Sequence, residues 1–347
     1  MLTNDFDYEL PSDLIAQDPL DARDASRLLV LNRHEKTIQH RIFSDITEYL
    51  NPSDVMVFNQ SKVIPARFYG IRNDTHGKVE ILLLRKIEAG IWEALAKPGR
   101  RLHPGDKVTV LDQTNKVSHL EINILESSSA GIKTIKLSTE ESIDHLGNVP
   151  LPPYIQNSLD DPDRYQTVYA RDKGSVAAPT AGLHFTNTSL DNIRSKGVIT
   201  AFITLHVGLD TFRPVQEIDP TQHHIHTEQY NVNEETAEIL NKAVLDNRRI
   251  IAVGTTSARV LEQIGQDLAT SGRNTIDSCS GDADIFILPG HKFRLVDAMV
   301  TNFHLPKSTL LMMISAFAQP SEIKLVYEEA IKKRYRFYSF GDAMLIF

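Results

Sequence analysis

The stretch Arg164 to Phe185, RYQTVYARDKGSVAAPTAGLHF, concentrates residue types that could do chemistry. Neither the helical nor the alternating period runs through it for long, so packing alone does not account for it. Gly174 and Gly182 free the backbone and Pro179 fixes it, so Thr180 and His184 project from a shaped loop. TLHVGLDTFRP (204–214) and TNFHLPKSTLL (301–311) share this character. Each follows an apolar, strand-like run and sets one histidine, His206 or His304, beside Thr, Asn or Gly. Taken singly, a histidine in such a place is more often a hydrogen-bonded core residue. Three such loops at strand ends point to one small-molecule site assembled from distant segments.

VGTTSARVLE (253–262) reads as a strand, a tight turn and a helix start. The N–H groups of Thr255, Thr256 and Ser257 after Gly254 would then point outward and seat a carboxylate, with Arg259 adding a bidentate contact. The plainer alternative is a helix whose Thr and Ser cap its own backbone. The chain has no GxGxxG, so no dinucleotide fold is signalled. HHIHTEQY (223–230) mimics a zinc site, with His223, His224 and His226 as ligands and Glu228 as base. No further Cys/His pair stands at a convincing distance, and no metal is expected.

The elements that must position these groups fall into two textures. Residues 61–152 carry short β-rich runs, VEILLL (79–84), KVTVL (107–111) and IKTIKL (132–137), divided by Gly, Pro, Asp and Ser turns. They predict a small antiparallel barrel. Residues 1–60 and 153–347 alternate strand and helix. Strands are expected at 28–31, 55–58, 198–207, 249–254, 285–288 and 299–300, and helices at 44–50, 188–196, 234–247, 257–268, 308–317 and 322–334. This pattern predicts an α/β main domain, a sheet flanked by helices, with the barrel inserted. Cys279 is the only cysteine, the N-terminal MLTNDFDYELP lacks an apolar core, and Leu310–Ala318 is too short to span a bilayer. A cytoplasmic protein is expected. The net charge of −8 disfavours indiscriminate nucleic-acid binding. Residues 61–110, however, hold ten Lys or Arg against five Asp or Glu, and Lys97, Arg100 and Arg101 fall together beside Pro98 and Gly99.

YQTVYA, GSVAAPTAGLHF, TLHVGLDTFRPV, VGTTSARVLE, TNFHLPKSTLL and YRFYSFGDAMLI, in this order, make the chain resemble the S-adenosylmethionine:tRNA ribosyltransferase-isomerase family of queuosine biosynthesis. The resemblance runs from DFDYELP to GDAML. It departs at Gln60, where the family commonly has Asp, at Ile225, usually Met, and at GDADIF (281–286), which lacks a Trp-Thr pair.

The resemblance implies transfer and isomerisation of the ribosyl part of S-adenosylmethionine onto 7-aminomethyl-7-deazaguanine at the tRNA wobble position. Epoxyqueuosine forms, and adenine and methionine leave. It implies S-adenosylmethionine as cosubstrate, no other cofactor, a tRNA partner and no membrane; a monomer is expected. The sulfonium acidifies the ribosyl 5′-carbon, and His184 or His304 would remove that proton. Glu228 or Asp342 would take a proton from the attacking amine. Thr180, Ala181 and Gly182 would approach the cosubstrate, and Gly254, Thr255, Thr256, Ser257 and Arg259 would hold its methionine carboxylate. Lys97, Arg100 and Arg101 would hold the tRNA stem, with Tyr169 or Phe185 stacking on a base. A metal-dependent hydrolase and a non-catalytic RNA-binding module are the competing readings.

Overall fold

The computed structural model describes all residues of the chain except 129–130, 209–213 and 226. Two compact units result. One comprises Met1–Ser61, Pro152–Asp172 and Ala178–Phe347, the other Lys62–Leu151 and Lys173–Ala177.

In chain order the strands are β1 (Arg27–Asn32), β2 (Thr37–Ile42), β3 (Val55–Asn59), β4 (Ser61–Val63), β5 (Arg67–Arg72), β6 (Lys78–Glu88), β7 (Ile91–Lys97), β8 (Lys107–Leu111), β9 (Val117–Ser127) and β10 (Lys133–Leu137). They continue as β11 (Asp172–Ser175), β12 (Ile199–Leu205), β13 (Glu228–Val232), β14 (Ile250–Val253), β15 (Cys279–Ala283), β16 (Ala298–Asn302) and β17 (Ala343–Ile346). The helices are a single turn α1 (Ile143–Leu146), then α2 (Asn187–Ser195), α3 (Glu234–Leu245), α4 (Thr255–Ser271), α5 (Thr309–Ala318) and α6 (Pro320–Lys332).

Nine strands of the first unit form one mixed sheet in the order β15-β13-β12-β3-β14-β16-β17-β1-β2. Its middle, β12-β3-β14-β16, is parallel throughout. These central strands are the unbroken apolar runs VMVF and IIAV, buried along their whole length, as strands covered on both faces must be. In the second unit β10-β7-β6-β5-β8-β9 close into the expected antiparallel barrel, whose alternating burial along β8 and β9 gives an apolar interior. β4 and β11 form a separate two-stranded ladder.

Several expectations need correction. Residues 285–288 are not a strand; the strand is β15, just before them. The backbone N–H groups of Asp284 and Ile285 donate to Gln263 Oε1 of α4, and Pro289 cannot donate at all, so the apolar run is spent on packing rather than on a ladder. The segment expected as a helix at 44–50 is a 3-10 helix, Phe43–Tyr49. The last strand, β17, lies outside the expected strands, although the turn at Gly341 leads straight into it. Among the described residues no helix is long and apolar enough to cross a membrane.

Candidate active site

The chain leaves β3 toward β12 on one side and leaves β14 toward β16 on the other, so the sheet has a topological switch between β3 and β14. A crevice opens outside the carboxyl ends of parallel strands at such a point. Asn59, fully buried at the end of β3, builds its floor. Its Oδ1 accepts from Ser61 N at 3.1 Å and from Leu205 N at 3.0 Å, while its Nδ2 donates to Leu205 O at 3.0 Å. Beyond β14, Gly254 takes φ +88°, open to glycine and rarely to other residues, and α4 begins at Thr255. No described side chain caps its first turn, leaving those N–H groups turned outward.

A 3-10 turn, Thr180–His184, lies over this edge. Ala181 Cβ is 3.6 Å from where a Cβ on Gly254 would stand, so the two glycine-bearing motifs meet. A Cβ on Gly182 would fall 1.9 Å from the Tyr169 hydroxyl, which explains the glycine. Tyr169 is itself held edge-on to Phe58, with ring centroids 5.1 Å apart. Phe185 is fully buried against Phe43 and Phe58 and presents no face for stacking on a base.

Buried polar atoms without a hydrogen-bond partner gather here. Thr167 Oγ1, Tyr169 OH, His184 Nε2, His206 Nδ1, Thr256 Oγ1 and Asn302 Oδ1 are among them. His184 Nε2 faces Asn302, and the Tyr169 and Thr167 hydroxyls face each other, without closing into well-formed bonds. Folded proteins leave few such groups unpaired, which makes this end of the sheet the candidate ligand site. Asp172, which sequence reasoning passed over, accepts from Gln60 Nε2 at 3.0 Å and from the Thr204 hydroxyl. His206, beside it, has its pKa lowered by burial and partly restored by that carboxylate.

With Nε2 turned toward Asn302, His184 also lines a small, half-open cleft together with Arg23, Ser26, Arg164 and the turn Ser339–Gly341. Its Nδ1 lies 2.7 Å from Ser26 Oγ, and its ring stacks on Phe43 with centroids 5.0 Å apart. Burial pushes its pKa down to about 4; Asn302 opposes the shift, while Arg336 and Arg23 reinforce it. The cleft wall is strained, since Tyr338 adopts φ +71°.

His304 lies elsewhere. Its Nε2 is 2.8 Å from Thr301 Oγ1, its N–H donates to the Tyr327 hydroxyl at 2.8 Å, and its carbonyl accepts from the Tyr8 hydroxyl. Burial among these aromatic rings depresses its pKa to about 3. It does not line the cleft. Asp342 follows the cleft turn but faces away. Its oxygens take four bonds, from Arg27 N, Nε and Nη2 and from Arg336 N, at 2.8–3.1 Å. That uses about all the lone pairs a carboxylate has. Glu228 Oε2 pairs with buried Arg259 Nη1 at 2.7 Å, and Glu228 Oε1 accepts from Gly208 N at 3.1 Å. Arg259 also donates to Ala283 O, so its guanidinium braces β13 and β15 instead of standing open at the start of α4.

In the other unit Lys97, Arg100 and Arg101 are exposed around a 3-10 turn, Gly99–Arg101. None of the three forms an ion pair with another described residue. Of the histidines that mimic a zinc site, His223 is 2.9 Å from Glu217 and His226 lies outside the described residues. Among the described residues no three His, Cys, Asp or Glu gather as a metal site.

The two buried imidazoles give a pH prediction. Their folded pKa values, about 4 and about 3, lie below the ordinary 6.5, so from pH 6.5 downward the unfolded chain takes up protons that the folded chain refuses. Stability therefore falls with pH, by about 4 kcal/mol at pH 5 for the pair. The thermal midpoint should drop by about 5 °C between pH 7 and pH 5. Replacing both with glutamine should flatten this slope; an unchanged slope would show that the rings titrate normally.

The frame and its crevice, with a barrel inserted between two central strands of the sheet, define the class of the protein. A family model described as "Queuosine biosynthesis protein" matches residues 3–346. The chain is 52% identical over 348 residues to the S-adenosylmethionine:tRNA ribosyltransferase-isomerase of Dehalococcoides mccartyi (strain CBDB1), covering 100% of both chains. It is 49% identical over 350 residues to the enzyme of the same name from Staphylococcus haemolyticus (strain JCSC1435), again covering 100% of both. A crystal structure of S-adenosylmethionine tRNA ribosyltransferase from Thermotoga maritima is 38% identical, covers 99% of this chain and 100% of that one, and aligns with a TM-score of 0.56. The chain belongs to the S-adenosylmethionine:tRNA ribosyltransferase-isomerase family.

Proposed function

We propose that the chain transfers and isomerises the ribosyl part of S-adenosylmethionine onto 7-aminomethyl-7-deazaguanine at the tRNA wobble position, giving epoxyqueuosine-tRNA, adenine and methionine. The observation that carries the reading is full-length identity of about half with enzymes of that name, together with unpartnered polar atoms at the sheet's switch point. Incubation with S-adenosylmethionine and tRNA bearing the aminomethyl base, followed by nucleoside mass analysis, tests it. An epoxycyclopentanediol nucleoside with free adenine and methionine is the expected result. Methyl transfer, or no product, would overturn it.

In this reading residues 1–60 and 153–347 act as the catalytic domain. The cosubstrate lies in the crevice, its methionine carboxylate on the N–H groups of Thr255, Thr256 and Ser257, where charge and donors favour an anion. Gly254 and Thr180–Gly182 let its backbone-facing side approach closely. His184, neutral at pH 7, removes the proton from the 5′-carbon, and the carbonyl of Asn302 steadies the ring once it is charged. Glu228, Arg259 and Asp342 act by holding the site's walls, because their polar atoms are already engaged with neighbouring residues. His304 serves the core. S-adenosylmethionine is consumed as a cosubstrate, with no further cofactor, by a cytoplasmic monomer.

The barrel, residues 61–152, holds tRNA through Lys97, Arg100 and Arg101. Because these cations are exposed and form no ion pair with another described residue, each can displace counterions from phosphate. Replacing all three with alanine should raise the KM for tRNA and lower the salt slope of binding by about 2 to 3, without altering kcat. An unchanged slope would remove the turn from the interface.

A further inference from the structure

The cleft above His184 has a charge pattern that the roles assigned so far leave unused. Two guanidiniums, Arg23 and Arg164, line it, and no carboxylate does. Carbonyl oxygens hold both in place. Arg23 donates to Leu183 O at 3.2 Å and to Asp163 O at 3.0 Å, and Arg164 donates to Leu20 O. The Nε of Arg164 is buried and has no hydrogen-bond partner among the described residues, nor does buried Nη1 of nearby Arg336. Neither Arg23 nor Arg164 forms an ion pair with another described residue; Asp161 and Asp163 are exposed and act on Arg23 only through space. Burial lowers the pKa of Arg23, and the neighbouring charge of Arg164 lowers it further, a repulsion that an anion between them would relieve. Carbonyl anchoring fixes the orientation of a guanidinium without neutralising it, which is what an oxyanion receptor requires.

The 3-10 turn links this cleft to the crevice. One end of the turn meets the crevice, with Ala181 against Gly254, and its other end, Leu183 and His184, lines the cleft; the three steps from Ala181 to His184 span about 6 Å. A single nucleotide can bridge such a separation, with its base on one side and its phosphate on the other.

We propose that the cleft of Arg23 and Arg164 is a phosphodiester subsite, gripping the RNA backbone next to the nucleotide under modification. This rests on the reading of RNA as substrate. The same oxyanion chemistry would suit the methionine carboxylate, which the open first turn of α4 already serves.

The test uses the full chain with Arg23→Gln, Arg164→Gln and the charge-keeping Arg164→Lys. Binding of a synthetic anticodon stem-loop is measured by fluorescence anisotropy across a salt series, and S-adenosylmethionine binding by calorimetry. Each glutamine variant should weaken hairpin binding roughly tenfold, the weight of one charge-assisted hydrogen bond. It should also lower the salt slope by about 0.7 and leave cosubstrate affinity unchanged. Arg164→Lys should restore the slope but only part of the affinity. Loss of cosubstrate affinity with hairpin binding intact would reassign the cleft to the carboxylate and overturn the proposal, as would no change in either. Failure of the unsubstituted protein to bind the hairpin would overturn the RNA reading itself, and this subsite with it. Should Arg23→Gln fail to fold, seen as lost cosubstrate binding and a collapsed thermal transition, Arg164→Gln decides alone.

Discussion

Replacing His184 with glutamine should lower kcat by about 10²- to 10⁴-fold, the usual weight of a positioned proton acceptor. The affinity for S-adenosylmethionine should change little, because the carboxylate and backbone contacts proposed for it lie on the crevice side of the 3-10 turn. Single-turnover kinetics beside calorimetric binding separate the two quantities. The variant carries its own folding control: with one depressed imidazole removed, its thermal midpoint should fall less on acidification than that of the unsubstituted protein. His304→Gln is the comparison. It should lose stability, since the ring fills an aromatic core against Thr301, but keep kcat within about tenfold, because the ring does not reach the cleft. Equal losses of turnover in the two variants would return His304 to the mechanism, and full activity in His184→Gln would remove His184 from it.

Glu228→Ala should cost about 3 to 5 kcal/mol, because it removes a carboxylate 2.7 Å from the buried guanidinium of Arg259. The thermal midpoint should drop by about 4 to 7 °C. Replacing both partners together, Glu228→Met with Arg259→Met, should recover most of that loss, since an apolar pair of similar volume has no charge to desolvate. Turnover of the recovered protein then shows what the carboxylate does. A higher KM for S-adenosylmethionine at near-normal kcat is expected, because the Gly208 backbone would lose its anchor beside the crevice. A folded double variant without kcat would make Glu228 the acceptor of the amine proton instead.

Some of this was legible before any coordinates. APTAGLHF announces itself because Pro179 and Gly182 have no reason to sit together in a helix or strand, and the α4 start is legible from a short apolar run ending in Gly254. The barrel followed from its turns. What escaped is the part made by long-range closure. Ser26 and His184 are 158 positions apart, and Arg27 and Asp342 are 315 apart, so no local period relates them. Arg23 and Arg164 read as ordinary surface charges until the fold turns both toward one cleft. The histidines illustrate the limit well. His184 and His304 both follow an apolar stretch and are indistinguishable by spacing. Only the neighbours, Phe43 and Ser26 for one, Tyr8 and Tyr327 for the other, decide which lines the cleft and which faces the core. Residues 285–288 failed for a related reason, because a strand needs a partner ladder and Gln263 had already taken the donors.

The place of β17 in the sheet bears on how the protein is made. This strand lies between β16 and β1, so the hairpin β1–β2, made well ahead of it, meets the rest of its sheet only through residues 343–346. The barrel needs nothing beyond residue 137 to close its strands. During translation the barrel can therefore fold while the first sixty residues wait, exposing the apolar edge of β1 to chaperones until the C-terminal strand is released.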